Sequence, residues 1–190
     1  DLFVSQWLNS IADVMPALLN QAKIMALKYD IVVTNPPYMG SGNMGGKLSD
    51  YVKSFYPDSK SDLFAIFIER CSQLTKKNCY QAMITQHTWM FLSAFEGLRK
   101  KMYSKTIVNM AHLGARAFEE IGGEVVQTSS FVLRNSDITN YKGSYCRLVA
   151  YGNQKAKEDA FLQRENCYFV SNEVYRAIPG QPYVYWISEV

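Results

Sequence analysis

The run Tyr29-Asp30-Ile31-Val32-Val33-Thr34 ends on the tetrapeptide Asn35-Pro36-Pro37-Tyr38, and this junction constrains the fold more than any other feature of the chain. A short β-branched apolar run reads as a strand, and two prolines stop it because neither has an amide hydrogen to give to a ladder. The prolines hold φ near about −65°, so their neighbours form a rigid frame. In an open α/β sheet that frame stands at the mouth of the strands, where ligands bind. Within it, the side-chain amide oxygen of Asn35 and the backbone carbonyl of Pro36 offer two acceptors to the two hydrogens of a planar amino group. Accepting both localises the lone pair on nitrogen, which makes a conjugated amine able to attack a methyl sulfonium. Tyr38 adds a flat face on which a base can stack, worth ~1–3 kcal/mol. Without that chemistry, the same residues are a strand followed by a proline-rich turn.

At 190 residues, 48% hydrophobic and 19% charged, the chain has the material for one globular domain or most of one. The net charge of +3 is a weak pointer to an anionic partner. Two basic groups stand out: Arg99, Lys100, Lys101 and Lys105, and Lys47, Lys53 and Lys60. Each is either a solvated face or a phosphate contact. The four cysteines, Cys71, Cys79, Cys146 and Cys167, contain no C-x-x-C pair and read as small core residues of a reduced compartment. His87 and His112 lie far apart in sequence and read as separate hydrogen-bonded structural residues, so no metal site is expected. No apolar stretch of ~18 residues and no signal core is found, which predicts a soluble, cytoplasmic protein with no membrane partner. The first residue is Asp1, which suggests a processed or excised chain.

Ile11, Val14, Met15, Leu18, Leu19, Ala22 and Met25 recur at helical spacing, with Asp13 as N-cap and Pro16 in the first turn. After the tetrapeptide, the glycine-rich stretch Met39–Gly46 lacks the G-x-G-x-x-G spacing of a phosphate cradle and reads as a mobile flap. Leu48–Lys60 mixes lysines with Tyr51, Phe55 and Tyr56, a pattern that suits either nucleic-acid contact or an ordinary surface helix. A helix is expected from Asp62, a strand over Cys79–Thr85, and a helix opened by the capping box Ser93-Ala94-Phe95-Glu96. Strands follow over Thr106–His112, after Gly122-Gly123 over Val125–Leu133, and over Gly143–Ala150. Lys155–Arg164 reads as a polar helix. The alternation predicts an α/β fold, the C-terminal half of a doubly wound sheet.

A glycine-rich turn and an acidic residue that would hold a nucleoside-type cofactor are not found upstream of Asn35, and Leu113-Gly114-Ala115 and Pro179-Gly180-Gln181 are poor substitutes. The chain therefore reads as a piece that keeps the target-base half of a site and lacks most of the cofactor half.

Further segments sharpen the reading. Tyr29–Gly40, Ser59-Lys60-Ser61-Asp62-Leu63-Phe64, Gln86–Leu92, His112–Phe118 and Gly122–Val126 together resemble the adenine-specific DNA methyltransferases of bacteriophage-exclusion (BREX) defence systems, and more broadly the restriction-type N6-adenine methyltransferases. The likeness is strong over residues 11–135. It implies a class I, Rossmann-like, S-adenosylmethionine-dependent fold, with 1–135 a partial catalytic domain and 136–190 its remainder or the start of a following region. By position, Asn35, Pro36, Pro37 and Tyr38 match the catalytic motif, and Phe118 lies where related enzymes close on the other face of the extruded adenine. Pro37, Asp62, Phe64 and Phe67 fall beside the cofactor, although a helical phenylalanine is core by default and Phe118 also reads as a core residue under a loop. From their clustering alone, Lys47, Lys53 and Lys60 are the candidates for contact with DNA. The implied partners are double-stranded DNA and other defence-system subunits. The same acceptor geometry would serve a protein glutamine amide, and a catalytically silent DNA-binding scaffold is the reading from another class.

Overall fold

The computed structural model describes residues 2–118 and 126–187. Its strands are β1 (Tyr29–Thr34), β2 (Thr75–Gln86), β3 (Thr106–Gly114), β4 (Thr128–Arg134), β5 (Lys142–Arg147) and β6 (Cys167–Ser171). They form one mixed sheet in the order β1-β2-β4-β3-β5-β6. β1 is parallel to β2 and β3 is parallel to β5, while β4 and β6 run antiparallel to their neighbours. The carboxyl ends of β1, β2, β3 and β5 therefore share one edge.

The helices are α1 (Leu2–Ala26), α2 (Gly46–Phe55), α3 (Leu63–Leu74), α4 (Glu96–Met102), α5 (Gln154–Leu162) and α6 (Asn172–Arg176). α3 links β1 to β2 and buries Phe64, Ala65, Ile68 and Cys71 in the main core with Met83, Met110, Phe131 and Leu133. Leu98 and Met102 of α4 point into the same core, as their spacing predicts. Tyr145, Tyr175, Tyr183 and Tyr185 join it from the C-terminal region. Tyr185 stacks on Tyr145 with centroids 4.9 Å apart, and Tyr183 on Tyr103 at 5.4 Å.

Several expectations are corrected. α1 begins at Leu2, so Asp13 is no N-cap and Pro16 sits in the helix interior. The Ala12 carbonyl that Pro16 leaves without a helical donor lies on an exposed stretch, open to solvent. The capping box does not form: Ser93–Phe95 make a 3-10 turn, Phe95 is the N-cap of α4, and Glu96 pairs with Lys100 at 2.7 Å instead. Cys146 and Cys167 are disulfide-bonded, because the β5–β6 register sets them opposite each other with Cα atoms 4.1 Å apart. Only Cys71 and Cys79 are free. The first basic group is structural. Arg99 is buried and donates to the carbonyls of Trp89, Leu92 and Gly180, Lys101 pairs with Asp58 and Glu69, and Lys105 bonds Asn135. Gly122-Gly123 and the start of the strand expected at Val125 lie outside the described residues.

One side of the molecule is apolar and uncovered. Among the described residues β1 pairs only with β2, and its Ile31 and Val33 are 66% and 69% exposed. Val14, Met15, Leu18, Leu19 and Met25 of α1 are exposed as well. The accessible surface is 11310 Å², against about 9,200 Å² for a self-contained monomer of this length.

Candidate active site

β1 delivers Asn35 to the carboxyl edge with the residue exposed, followed by a buried Pro36, an exposed Pro37 and a half-buried Tyr38. The Tyr38 ring meets Phe64 edge-on, with centroids 6.0 Å apart and planes at 82°. Burial, with a smaller contribution from the Asp62 carboxylate, pushes the Tyr38 phenol above its usual range. Tyr38 is thus a neutral ring in T-shaped contact with Phe64.

Asp62 ties the tetrapeptide to α3. Its Oδ1 accepts from the amide of Met39 at 3.1 Å and, as N-cap, from that of Phe64 at 3.3 Å. Leu63 N–H donates to the Met39 carbonyl and Ser41 N–H to that of Ser61, each at 3.0 Å. The glycine-rich stretch is therefore latched rather than a free flap, and Met44 is buried with Val52, Tyr56 and Ile66. The periodicity of the loop holds no signal for this, since the anchors are backbone groups.

The expected cofactor-side residues separate. Pro37 is exposed, and Phe67 and Asp62 are half-buried, with no bond to Oδ2 of Asp62 among the described residues. Phe64 is fully buried, wedged between Tyr38 and Phe95. Its ring is enclosed by the core and by Tyr38 and presents no open face. Phe118 stands beyond β3, 37% exposed, and no ring contact joins it to Tyr38 among the described residues. Lys47, Lys53 and Lys60 are exposed and form no ion pair among the described residues. Beside them, Tyr51 and Phe55 of α2 expose rings 4.8 Å apart.

The two histidines do not stand apart. Nδ1 of His87 lies 2.7 Å from Nε2 of His112, whose Nδ1 lies 2.9 Å from the Tyr185 hydroxyl. The pairing of Gln86 with Thr128 and of His112 with Ser129 brings them together across the first residues of β4. Sequence distance hides this, because the antiparallel β4 inserts between β2 and β3. Burial, then the neighbouring His87, Arg147 and Lys157, push His112 down to about 3, and burial also lowers His87. Both rings are neutral at pH 7. Among the described residues, no three metal-ligating side chains gather, and no helix is long and apolar enough to cross a membrane.

The Eco57I restriction-modification methylase family matches residues 4–118. The adenine-specific methyltransferase PglX of Lacticaseibacillus casei (strain Zhang) is 52% identical over 178 residues, which are 90% of this chain and 15% of that protein. The adenine-specific methyltransferase BrxX of Escherichia coli O9:H4 (strain HS) is 44% identical over 95% of this chain and 15% of its own length. The chain thus spans about 15% of the length of these curated relatives. Among solved structures, the DrdV–DNA complex covers 91% of this chain and 19% of its own at TM-score 0.61 and 16% identity. A putative class I S-adenosylmethionine-dependent methyltransferase from Listeria monocytogenes covers 74% of this chain and 43% of its own at TM-score 0.51 and 16% identity. These two likenesses show the class I methyltransferase fold.

Proposed function

Because the chain belongs to the Eco57I restriction-modification methylase family, we propose that it is the target-base half of an S-adenosylmethionine-dependent DNA methyltransferase acting on the N6 amino group of adenine. The observation that carries this reading is the tetrapeptide at the end of β1, with Asn35 exposed, Pro36 buried and Tyr38 fixed edge-on against Phe64. An adenine rotated out of the duplex stacks on Tyr38, which offsets an unstacking cost of a few kcal/mol. Phe118 closes on its other face. The Asn35 amide oxygen and the Pro36 carbonyl accept the two amino hydrogens and orient the lone pair, so the rate comes from alignment.

The residues present fit the edge of the cofactor. The unengaged Oδ2 of Asp62 can accept from a ribose hydroxyl or an adenine amine, and Pro37 and Phe67 give apolar contact. When bound, S-adenosylmethionine supplies the electrophilic methyl group. The exposed faces of β1 and α1 would pack against an upstream part of a longer protein that completes this pocket. Residues 136–190 belong to the same unit as 1–135, a reading supported by the shared sheet and tyrosine core. Lys47, Lys53 and Lys60, beside Tyr51 and Phe55, approach the DNA backbone.

The test is Asn35→Ala in the full-length protein, with methylation of host DNA followed in single turnover. The rate should fall by about 10²–10³-fold with DNA affinity nearly unchanged. Undiminished methylation, or transfer to a glutamine peptide in preference to DNA, would refute the assignment.

A further inference from the structure

Tyr185, His112 and His87 form a hydrogen-bonded line that ends at the same sheet edge as the tetrapeptide. Tyr185 is fully buried, and among the described residues its hydroxyl meets only Nδ1 of His112. Leaving a buried O–H without an acceptor costs ~1–3 kcal/mol. Tyr185 therefore donates, Nδ1 of His112 accepts, and the His112 proton sits on Nε2. From there it is donated to Nδ1 of His87 at 2.7 Å, so His87 in turn carries its own proton on Nε2. The direction of the line is fixed from its buried end.

The Nε2 atom of His87 has no protein partner among the described residues and is not one of the buried polar atoms left without one. It is open to a ligand. His87 follows Gln86 directly at the end of β2, the strand paired in parallel with β1 through Thr34 and Met83. Asn35–Tyr38 and His87 thus leave adjacent parallel strands at the same sheet edge, His87 lying beyond Met83, the last residue paired with β1. The His87 amide donates to the Gln127 carbonyl at 2.9 Å, and its ring packs edge-on against Phe91, with centroids 5.5 Å apart. The imidazole is held by His112 at Nδ1 and by the Phe91 ring.

We propose that His87 is a binding residue of the base site whose Nε2–H donates to a hydrogen-bond acceptor of the target nucleotide, and that His112 and Tyr185 are positioning residues that lock this tautomer. The proposal deepens the function proposed above and rests on it. Two acceptors share the required chemistry: a phosphate oxygen flanking the target adenine and N7 of the extruded base.

The experiment is single-turnover methylation by the full-length protein on a duplex carrying the site that the protein methylates in its host. His87→Gln places an amide N–H near the position of Nε2, whereas His87→Asn reaches only that of Nδ1. The Gln variant should stay within about threefold of the natural rate and the Asn variant should lose about tenfold. Tyr185→Phe should slow the protein that carries His87 and leave the His87→Gln background unchanged, since an amide has no tautomer to lock. Equal slowing of both backgrounds would make Tyr185 merely structural and overturn the relay. Equal rates for the Gln and Asn variants would overturn the contact.

A methylphosphonate beside the target and a 7-deazaadenine at it separate the two acceptors, because the correct one erases the difference between Gln and Asn. The unsubstituted protein gives a check that needs no variant: undiminished rates on both modified duplexes overturn the proposal. Absence of adenine methylation by the unsubstituted protein would instead overturn the underlying function, and the proposal with it.

Discussion

Tyr38 and Phe64 meet in a T-shaped contact, with ring centroids 6.0 Å apart and planes at 82°, so the residue that would stack on a base is backed by one that is fully buried. Phe64 in turn contacts Phe95 at 5.6 Å, and its amide donates to Asp62. One side chain thus joins the N-terminus of α3, the 3-10 turn before α4 and the tetrapeptide. Phe64→Ala should cost about 3–5 kcal/mol of unfolding free energy, as for other buried phenylalanines. It should also slow methylation by more than it weakens DNA binding, because Tyr38 loses its backing. Denaturant titration beside the single-turnover assay measures both, and a loss of stability with an unaltered rate would separate Tyr38 from this support.

Arg99 fastens the loop before Tyr183 to the turn after β2. Its guanidinium donates to the Gly180 carbonyl through Nε at 3.0 Å and Nη2 at 2.7 Å, and to Trp89 and Leu92 through Nη1 at 2.9 and 2.6 Å. A planar fork serves these carbonyls, and a lysine, with a point charge on a flexible stem, does not. Arg99→Lys should therefore recover little of what Arg99→Ala loses, about 1–3 kcal/mol once the buried Trp89 carbonyl is left without a donor. Comparable stability of the lysine variant and the natural protein in urea would show that charge, not the fork, holds the loop.

The sequence was most legible where its signal is local. The strand over Tyr29–Thr34, the helix opened by Asp62 and the inward Leu98 and Met102 all follow from spacing and capping that a few neighbouring residues specify. Long-range pairing carried the rest. The His87–His112 contact and the Cys146–Cys167 bond depend on strand order and register, which periodicity does not encode. Tyr183 and Tyr185 lie in a segment without regular secondary structure, yet both are fully buried, so no repeat announces them. Arg99 shows the opposite failure: a cation within a basic run was grouped with surface charge although its partners are carbonyls distant in sequence.

The Cys146–Cys167 bond joins neighbouring strands at the far side of the sheet, closing a loop with a sequence separation of 21. A loop of that size contributes up to about 3 kcal/mol on the chain-entropy account, and β6 is the outermost strand, paired with β5 alone among the described residues. Reduction should leave the β1–β2 half unaffected and speed amide exchange in β6 by up to about a hundredfold. Hydrogen exchange with and without a phosphine reductant reads this strand by strand. Equal β6 protection in both states would mean that packing around Val170 and Tyr145 suffices.

His112 ties stability to acid. His112 is 3% exposed and its imidazole is pushed down to about 3 from 6.5 by burial, then by the neighbouring His87, Arg147 and Lys157, with Tyr185 bonded to its other nitrogen. The folded state therefore keeps it neutral, while the unfolded chain protonates it near pH 6.5. Between that value and about 3 the unfolded state binds more protons. The stabilisation from His112 is thus complete above pH 6.5 and declines as the pH falls, with a limiting slope of about 1.4 kcal/mol per pH unit. His87, whose pKa is also lowered by burial, adds a contribution of the same sign. His112→Gln removes the titrating group and keeps a polar side chain at that position, so its unfolding free energy should depend less steeply on pH between 6.5 and 5 than that of the natural protein. Urea unfolding at several pH values compares the two slopes, and parallel slopes would show that the acid sensitivity arises elsewhere than in the buried imidazole.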